Sequence, residues 1–158
     1  MSAKLYRGIK FRPEIKLTME KDTFIGDNCV ILVPALVMRR GSQINAGTII
    51  SGRREVVLGE NVVVGYHCLL LTSTDRPSGE YMNDASPEER RNIISDRIEI
   101  CANAFVASNS LIMPGVHIAK GIVVRAFSYV GKDLKSENMI YKDNHCIRSR
   151  GDIRRTNI

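Results

Sequence analysis

From Ile100 to Asp133 an aliphatic side chain returns at every sixth position: Ile100, Val106, Ile112, Ile118, Val124 and Val130. Four residues after each of the first five stands a small or β-branched residue: Ala104, Ser110, Val116, Ile122 and Ser128. A period of six matches neither the turn of a helix nor the alternation of an isolated strand. Short fixed periods belong to chains that coil upon themselves, each repeat burying its apolar side against its neighbours. Six residues make one short strand and one corner, so three units close a triangular coil. The aliphatic residue then points into the prism and stacks on its equivalent one coil away. The residue four later also points inward, but near a corner where bulk fits badly. Gly115, Lys120-Gly121 and Lys132-Asp133 fall between the inward positions, where tight turns are needed. The pattern predicts an all-β chain folded as a parallel β-helix.

The same spacing extends backwards. Ile25-Gly26-Asp27-Asn28-Cys29-Val30 is a complete repeat, and Ile31 and Val37 follow it. Register slips over residues 39–43 and resumes with Ile44, Ile50 and Val56, with Gly52-Arg53-Arg54 as a bulged corner. Leu58, Val64 and Leu70 continue cleanly. These limits predict one domain over 1–158: a cap segment 1–23, a β-helix 24–133 and a tail 134–158. Within the cap, Ile15, Leu17 and Met19 alternate as a short strand would, covering the open edge of the first coil. The tail carries a strand around Met139-Ile140-Tyr141. The β-helix is interrupted over 72–97, where Ser78-Gly79 and Ser86-Pro87 mark turns and Pro87 opens a single helical turn. A long insertion inside a compact fold is usually functional, so an ordered arm resting on a neighbouring surface is expected.

A chain of 158 residues suits one domain with a sizeable core. No apolar run reaches transmembrane length, and Met1 to Arg12 has no apolar core of a secretory leader. Cytoplasmic residence is the expectation. Cys29, Cys68, Cys101 and Cys146 form no close pairs, and the first three fall within repeats, as small core or near-core residues in a reducing compartment do. The formal charge is +6, with the excess at the C-terminal end: Lys132, Lys135, Lys142, Arg148, Arg150, Arg154 and Arg155. Such an end suits a polyphosphate cofactor. With no Trp and no interleaved aromatic series, a nucleic-acid partner is not expected.

Two stretches carry a resemblance: Val106-Ala107-Ser108-Asn109-Ser110-Leu111-Ile112-Met113-Pro114-Gly115-Val116 and Val124-Arg125-Ala126-Phe127-Ser128-Tyr129-Val130-Gly131-Lys132-Asp133. Through them, and from Leu58 to about Arg148, the chain resembles the hexapeptide-repeat acyltransferases. It looks most like the acetyl-CoA-dependent sugar O-acetyltransferases of polysaccharide biosynthesis. The resemblance implies a left-handed β-helix, although parallel crossovers are usually right-handed. It also implies a homotrimer with acetyl-CoA as co-substrate in the groove between two subunits. Ser108 and Ala126 would lie along the pantetheine arm, where small side chains let a thin thioester chain approach the backbone. Lys132, Arg148 and Arg150 would meet the phosphates. The plainer reading makes Ala126 a corner residue and the basic tail a solvated surface.

Members of this family often carry Thr-Ser-Ser-Asp-His where the long loop begins, the His being the general base. Here the stretch is Thr72-Ser73-Thr74-Asp75-Arg76, and arginine cannot take that proton. Arg76 is therefore read as a binding group for an anionic part of the acceptor, with Tyr81 as a second acceptor contact. Catalytic candidates are His67, one repeat before the loop, and Asp75. His145 in the altered tail motif Asp143-Asn144-His145-Cys146 ranks below them, and His117 reads as an outward corner residue. A Trp common at the start of the closing coils is Phe105 here. The three His, 50 and 28 residues apart, do not show the pattern of the three-His zinc sites of some trimeric β-helices, so no metal is expected. The expected reaction is acetyl transfer to a hydroxyl of a sugar, sugar nucleotide or polysaccharide precursor. N-acetylation of an amino sugar is the alternative, since a free amine needs less help from a base. The other alternative is a non-catalytic trimeric β-helix that lost the base.

Overall fold

The inward residues pack as their spacing requires. The computed structural model describes residues 2–151, and its strands form three parallel sheets, one on each face of a triangular prism. The first face stacks Lys4–Leu5, Phe24–Ile25, Gln43–Ile44, Val63–Val64, Phe105–Val106 and Val123–Val124, then Met139–Lys142 and the returning His145–Ser149. The second stacks Lys10–Phe11, Val30–Leu32, Ile49–Ser51, Leu69–Leu71, Leu111–Ile112 and Tyr129–Val130. The third stacks Lys16–Met19, Ala35–Met38, Val56–Leu58, Ile98–Ile100 and His117–Ile118. Ile100 stands opposite Ile118, Val106 opposite Val124 and Ile112 opposite Val130, all fully buried. No helix among the described residues is long and apolar enough to cross a membrane.

The second inward position has a mechanism beyond size. At the corner between the first and second faces, Cys29, Thr48, Cys68, Ser110 and Ser128 form a buried column. Thr48 Oγ1 donates to the Gly65 carbonyl at 2.9 Å and accepts from the Cys68 amide at 3.3 Å. Ser110 Oγ donates to the Arg125 carbonyl at 3.2 Å and accepts from the Ser128 amide at 3.3 Å. A hydroxyl here satisfies corner backbone that would otherwise be buried unpaired.

Three features differ from the spacing-based expectation. The first is that the described residues 2–23 form no separate cap: Lys4–Leu5, Lys10–Phe11 and Lys16–Met19 pair with the strands above them and form the first coil. Its apolar side chains Ile9, Phe11, Ile15, Leu17 and Met19 are only partly buried, so the period is faint. Each of its three edge strands begins with an exposed lysine, which discourages pairing with another sheet. The second concerns the register shift, which lies at Val33-Pro34 and not over residues 39–43. Val33 is fully buried there, and Met38 takes the inward place expected of Val37.

The third is the C-terminal end, where Met139–Lys142 adds to the first face and His145–Ser149 folds back antiparallel. The turn between them supplies acceptors to the last coil. Asp143 Oδ1 takes the Tyr129 amide at 2.8 Å, and Asn144 Oδ1 takes those of Gly131 at 2.9 Å and Lys132 at 3.3 Å. These bonds close a sheet edge that would otherwise present open amides.

The interruption over 72–97 is an arm. Ser73–Asp75 pairs antiparallel with Ile93–Ser95, and Glu88–Arg90 forms a 3-10 turn near its tip. The Asp96 amide donates to the Thr72 carbonyl at 3.0 Å, closing the stem onto the coil.

Candidate active-site corner

The corner between the first and second faces brings together Tyr66-His67, Ser108-Asn109 and Ala126-Phe127, one pair from each of three successive coils. Their backbones are stitched in a ladder: the Asn109 amide donates to the Tyr66 carbonyl at 2.9 Å, and the Phe127 amide to the Ser108 carbonyl at 3.1 Å. Ser108 Oγ accepts from the Tyr66 amide at 3.2 Å. The coils approach so closely that a Cβ on Gly65 would lie 2.6 Å from the Ser108 nitrogen. His67 occupies the left-handed turn position with φ 53°, and its exposed ring lies over Gly47. A Cβ on Gly47, itself at φ +72°, would come within 2.3 Å of His67 Nδ1. No side-chain hydrogen bond among the described residues ties up the imidazole. Tyr66 and Phe127 flank the column with 54% and 73% of their surface exposed.

The arm's base is a second cluster. Arg91 donates through Nε to Asp75 Oδ1 at 2.8 Å and through a terminal nitrogen to Oδ2 at 2.5 Å. The same nitrogen lies 2.8 Å from Asp84. The Arg91 side chain is 6% exposed. Its hydrogen bonds hold the Asp75 carboxyl below the usual carboxylate range, against the opposing effect of partial burial. A carboxylate held in this way is a poor proton acceptor, so Asp75 serves the arm's architecture better than base catalysis. Ser51, Arg53, Thr74, Asp75, Asp84 and Arg91 line a cleft of about 410 Å³ beside it. Arg53 reaches Glu88 at 2.6 Å, tying the arm to a neighbouring coil. Arg76 donates its amide to Asn92 at 2.7 Å and leaves its side chain exposed. The Arg90 guanidinium sits 5.1 Å from the Tyr81 ring centre.

The expected site residues therefore fall into separate groups. His67, Ser108 and Ala126 share one corner. Asp75, Arg76 and Tyr81 lie beyond the opposite end of the strand Leu69–Leu71. The three basic residues expected at the phosphates do not converge. Lys132 follows the last strand of the second face, with its amide on Asn144. Arg148 lies on the tail hairpin and lines a groove of about 470 Å³ on the first face with Val123, Arg125, Ile140 and Ile147. Arg150 donates to the carbonyls of Asn103 at 3.1 Å and Gly121 at 3.2 Å, at the corner between the third and first faces. Arg154 and Arg155 lie outside the described residues.

Arg125 was not singled out in the sequence, and Lys142 was counted only as part of the basic C-terminal end. Arg125 directly precedes Ala126, and Lys142 Nζ donates to the Phe127 carbonyl at 2.5 Å, so both stand at the same corner. The only signal for Arg125 was its place next to Ala126. His145 is exposed at the start of the tail's last strand. His117, expected at an outward corner, is instead half-buried within the strand His117–Ile118. Burial pushes the Cys29 and Cys68 thiols up, as suits inert core residues.

A triangular parallel β-helix with one inserted arm is the fold of the hexapeptide-repeat acyltransferases, and the resemblance read from the closing coils extends over the whole solenoid. The sequence is 24% identical to galactoside O-acetyltransferase of Lactococcus lactis over 143 residues, which is 88% of this chain and 69% of the relative. A point variant of AntD, an N-acyltransferase from Bacillus cereus, was solved with dTDP-4-amino-4,6-dideoxyglucose and coenzyme A. It matches with a TM-score of 0.79 at 19% identity, over 90% of this chain and 77% of that one. A hexapeptide-repeat acetyltransferase from Vibrio cholerae O1 biovar eltor, complexed with acetyl coenzyme A, matches with a TM-score of 0.59 at 19% identity, over 90% and 70%. No protein-family model matches the chain.

Proposed function

We propose that the chain is an acetyl-CoA-dependent acyltransferase that acetylates a hydroxyl of a sugar or sugar nucleotide. The observation that carries this reading is the single corner shared by His67, Ser108 and Ala126. Small side chains in two successive coils leave the backbone open to a pantetheine chain. His67, one coil away, offers an unengaged imidazole in reach of the thioester end. The imidazole accepts the acceptor's hydroxyl proton as its oxygen attacks the thioester carbonyl. The C–S bond then breaks, and the coenzyme A thiolate leaves with that proton. Arg125, Lys142 and Arg148 supply cations for the phosphates near this corner. Lys132 and Arg150 contribute long-range charge only.

Arg76 and Tyr81 cannot serve His67 within one chain, because the second face separates them. A homotrimer resolves this: in a closed ring of identical contacts, one chain's corner meets its neighbour's arm. The exposed Tyr66, Phe127, Tyr129 and Ile49 provide apolar surface for such a contact. Arg76 then holds an anionic group such as a sugar-nucleotide phosphate, with Tyr81 beside the sugar. AntD, whose structure holds a dTDP amino sugar, supports the acceptor class. N-acylation is the second reading, favoured by Arg76 standing where a base is usual, because a free amine attacks without one.

The test combines binding and turnover. Acetyl-CoA should bind in calorimetry, and Ala126→Trp should abolish binding by filling the corner while leaving the melting temperature near that of the native chain. A panel of sugar nucleotides and amino sugars should yield an acetylated product, whose linkage distinguishes O- from N-transfer. Absence of acetyl-CoA binding rejects the proposal. Binding with no product from any acceptor favours the non-catalytic reading.

A further inference from the structure

The third face carries a side-chain cluster that the acyl-transfer reading leaves unused. Strand side chains alternate, so Glu99 and Cys101 both project outward from the coil that follows the arm. His117 is the registered partner of Glu99 on the next coil. Cys101 Sγ lies 3.5 Å from His117 Nε2, the ring nitrogen that would take the metal, while the other ring nitrogen, Nδ1, lies 3.8 Å from Glu99 Oε2. One donor atom from each of the three falls within 4.8 Å of the other two, and all three residues are half-buried. We propose that Glu99, Cys101 and His117 bind one zinc ion across these two coils. This site is independent of the acyl-transfer corner.

The donor set fits that metal. Thiolate and imidazole favour a borderline ion such as zinc over calcium or magnesium, which take oxygen. Zinc bonds of about 2.3 Å to sulfur and 2.0–2.1 Å to nitrogen, at a tetrahedral angle, separate the two donors by about 3.6 Å. The observed 3.5 Å between Cys101 Sγ and His117 Nε2 matches that spacing. Three protein ligands leave the fourth position open, as in zinc sites that hold a water. Glu99 and His117 also line a groove of about 190 Å³ together with Asp96, Arg97 and Gly115. Arg97 competes: it bonds Glu99 Oε2 at 2.9 Å and lies 3.6 Å from Glu55. Its side chain is mostly exposed and can swing outward as the metal takes Glu99. The bound ion would tie Ile98–Ile100, the strand to which the arm returns, to the closing coil. It would thereby fix the root of the arm.

Cobalt(II) and zinc(II) are the probes. Purified protein titrated with Co²⁺ should develop a near-ultraviolet thiolate-to-metal band that saturates at one ion per chain and is displaced by Zn²⁺. Cys101→Ser should remove the band, whereas Cys146→Ser, which changes the exposed tail thiol, should leave it. His117→Ala should weaken zinc binding by at least about tenfold. Arg97→Ala should tighten it, an effect that a purely structural role for Glu99 and His117 would not produce. Zinc should raise the melting temperature of the native chain and not that of Cys101→Ser, with metal-free melts of all variants checking their folding. A band that survives Cys101→Ser, one that disappears in Cys146→Ser, or no saturable binding overturns the proposal.

Discussion

At the corner between the first and second faces, the left-handed turn position is held in successive coils by Asn28, Gly47, His67, Asn109 and Phe127. Asparagine and glycine adopt that conformation readily, so a histidine there directs attention to its ring. Gly47 has no such freedom to change. Gly47→Ala should cost about 1–2 kcal/mol from the positive φ alone, and its methyl would push the His67 ring from its seat. Acetyl-transfer activity should therefore fall further than the melting temperature accounts for, and full activity would mean that the ring position is immaterial. In the core, Ile112→Asp buries an unpaired carboxylate and should destabilise the chain by about 3–5 kcal/mol in urea unfolding. The inward aliphatic residues were legible in sequence because burial imposes their period directly. The engagement of Asp75 was not, since its partner Arg91 stands sixteen residues away across a hairpin whose pairing no local pattern announces.

The arm is the element that departs from the solenoid, and the Asp75–Arg91 pair holds its stem. Asp75 titrates below its ordinary range when folded. Its contribution is therefore complete above the unfolded carboxylate value and is lost as pH falls through the depressed folded value. Amide exchange across Ser73–Asp75 and Ile93–Ser95 should accelerate at that acidic end while the coils remain protected. Asp75→Asn should speed exchange already at neutral pH and remove the acid dependence; identical exchange in both proteins would contradict this role. The insertion itself was visible as a gap in the period, and so was the turn at Glu88–Arg90. The first coil was hidden for the opposite reason. At an end of the prism, half-buried side chains weaken the pattern, and Lys4, Lys10 and Lys16 stand at the outward places where the strands begin.

Across the whole molecule, the residues of the proposed site lie at the two ends of the second face, and the proposed trimer would bring them together. Light scattering should give three times the chain mass. Ile49→Asp changes a side chain already 41% exposed in the single chain, so it should leave folding intact yet disperse the trimer and lower turnover together. A native chain that stays monomeric at micromolar concentration would leave Arg76 and Tyr81 without a role at His67. Sequence periodicity made the prism legible, but it could not show which corner of one copy meets which arm of another.

In the proposed reaction His67 takes the proton as the acceptor attacks acetyl-CoA. The decisive measurement is the turnover of His67→Ala at saturating acetyl-CoA, with the best acceptor of the panel. A fall of about 10²–10⁴-fold with unchanged acetyl-CoA affinity is predicted. Turnover equal to that of the native chain would contradict it.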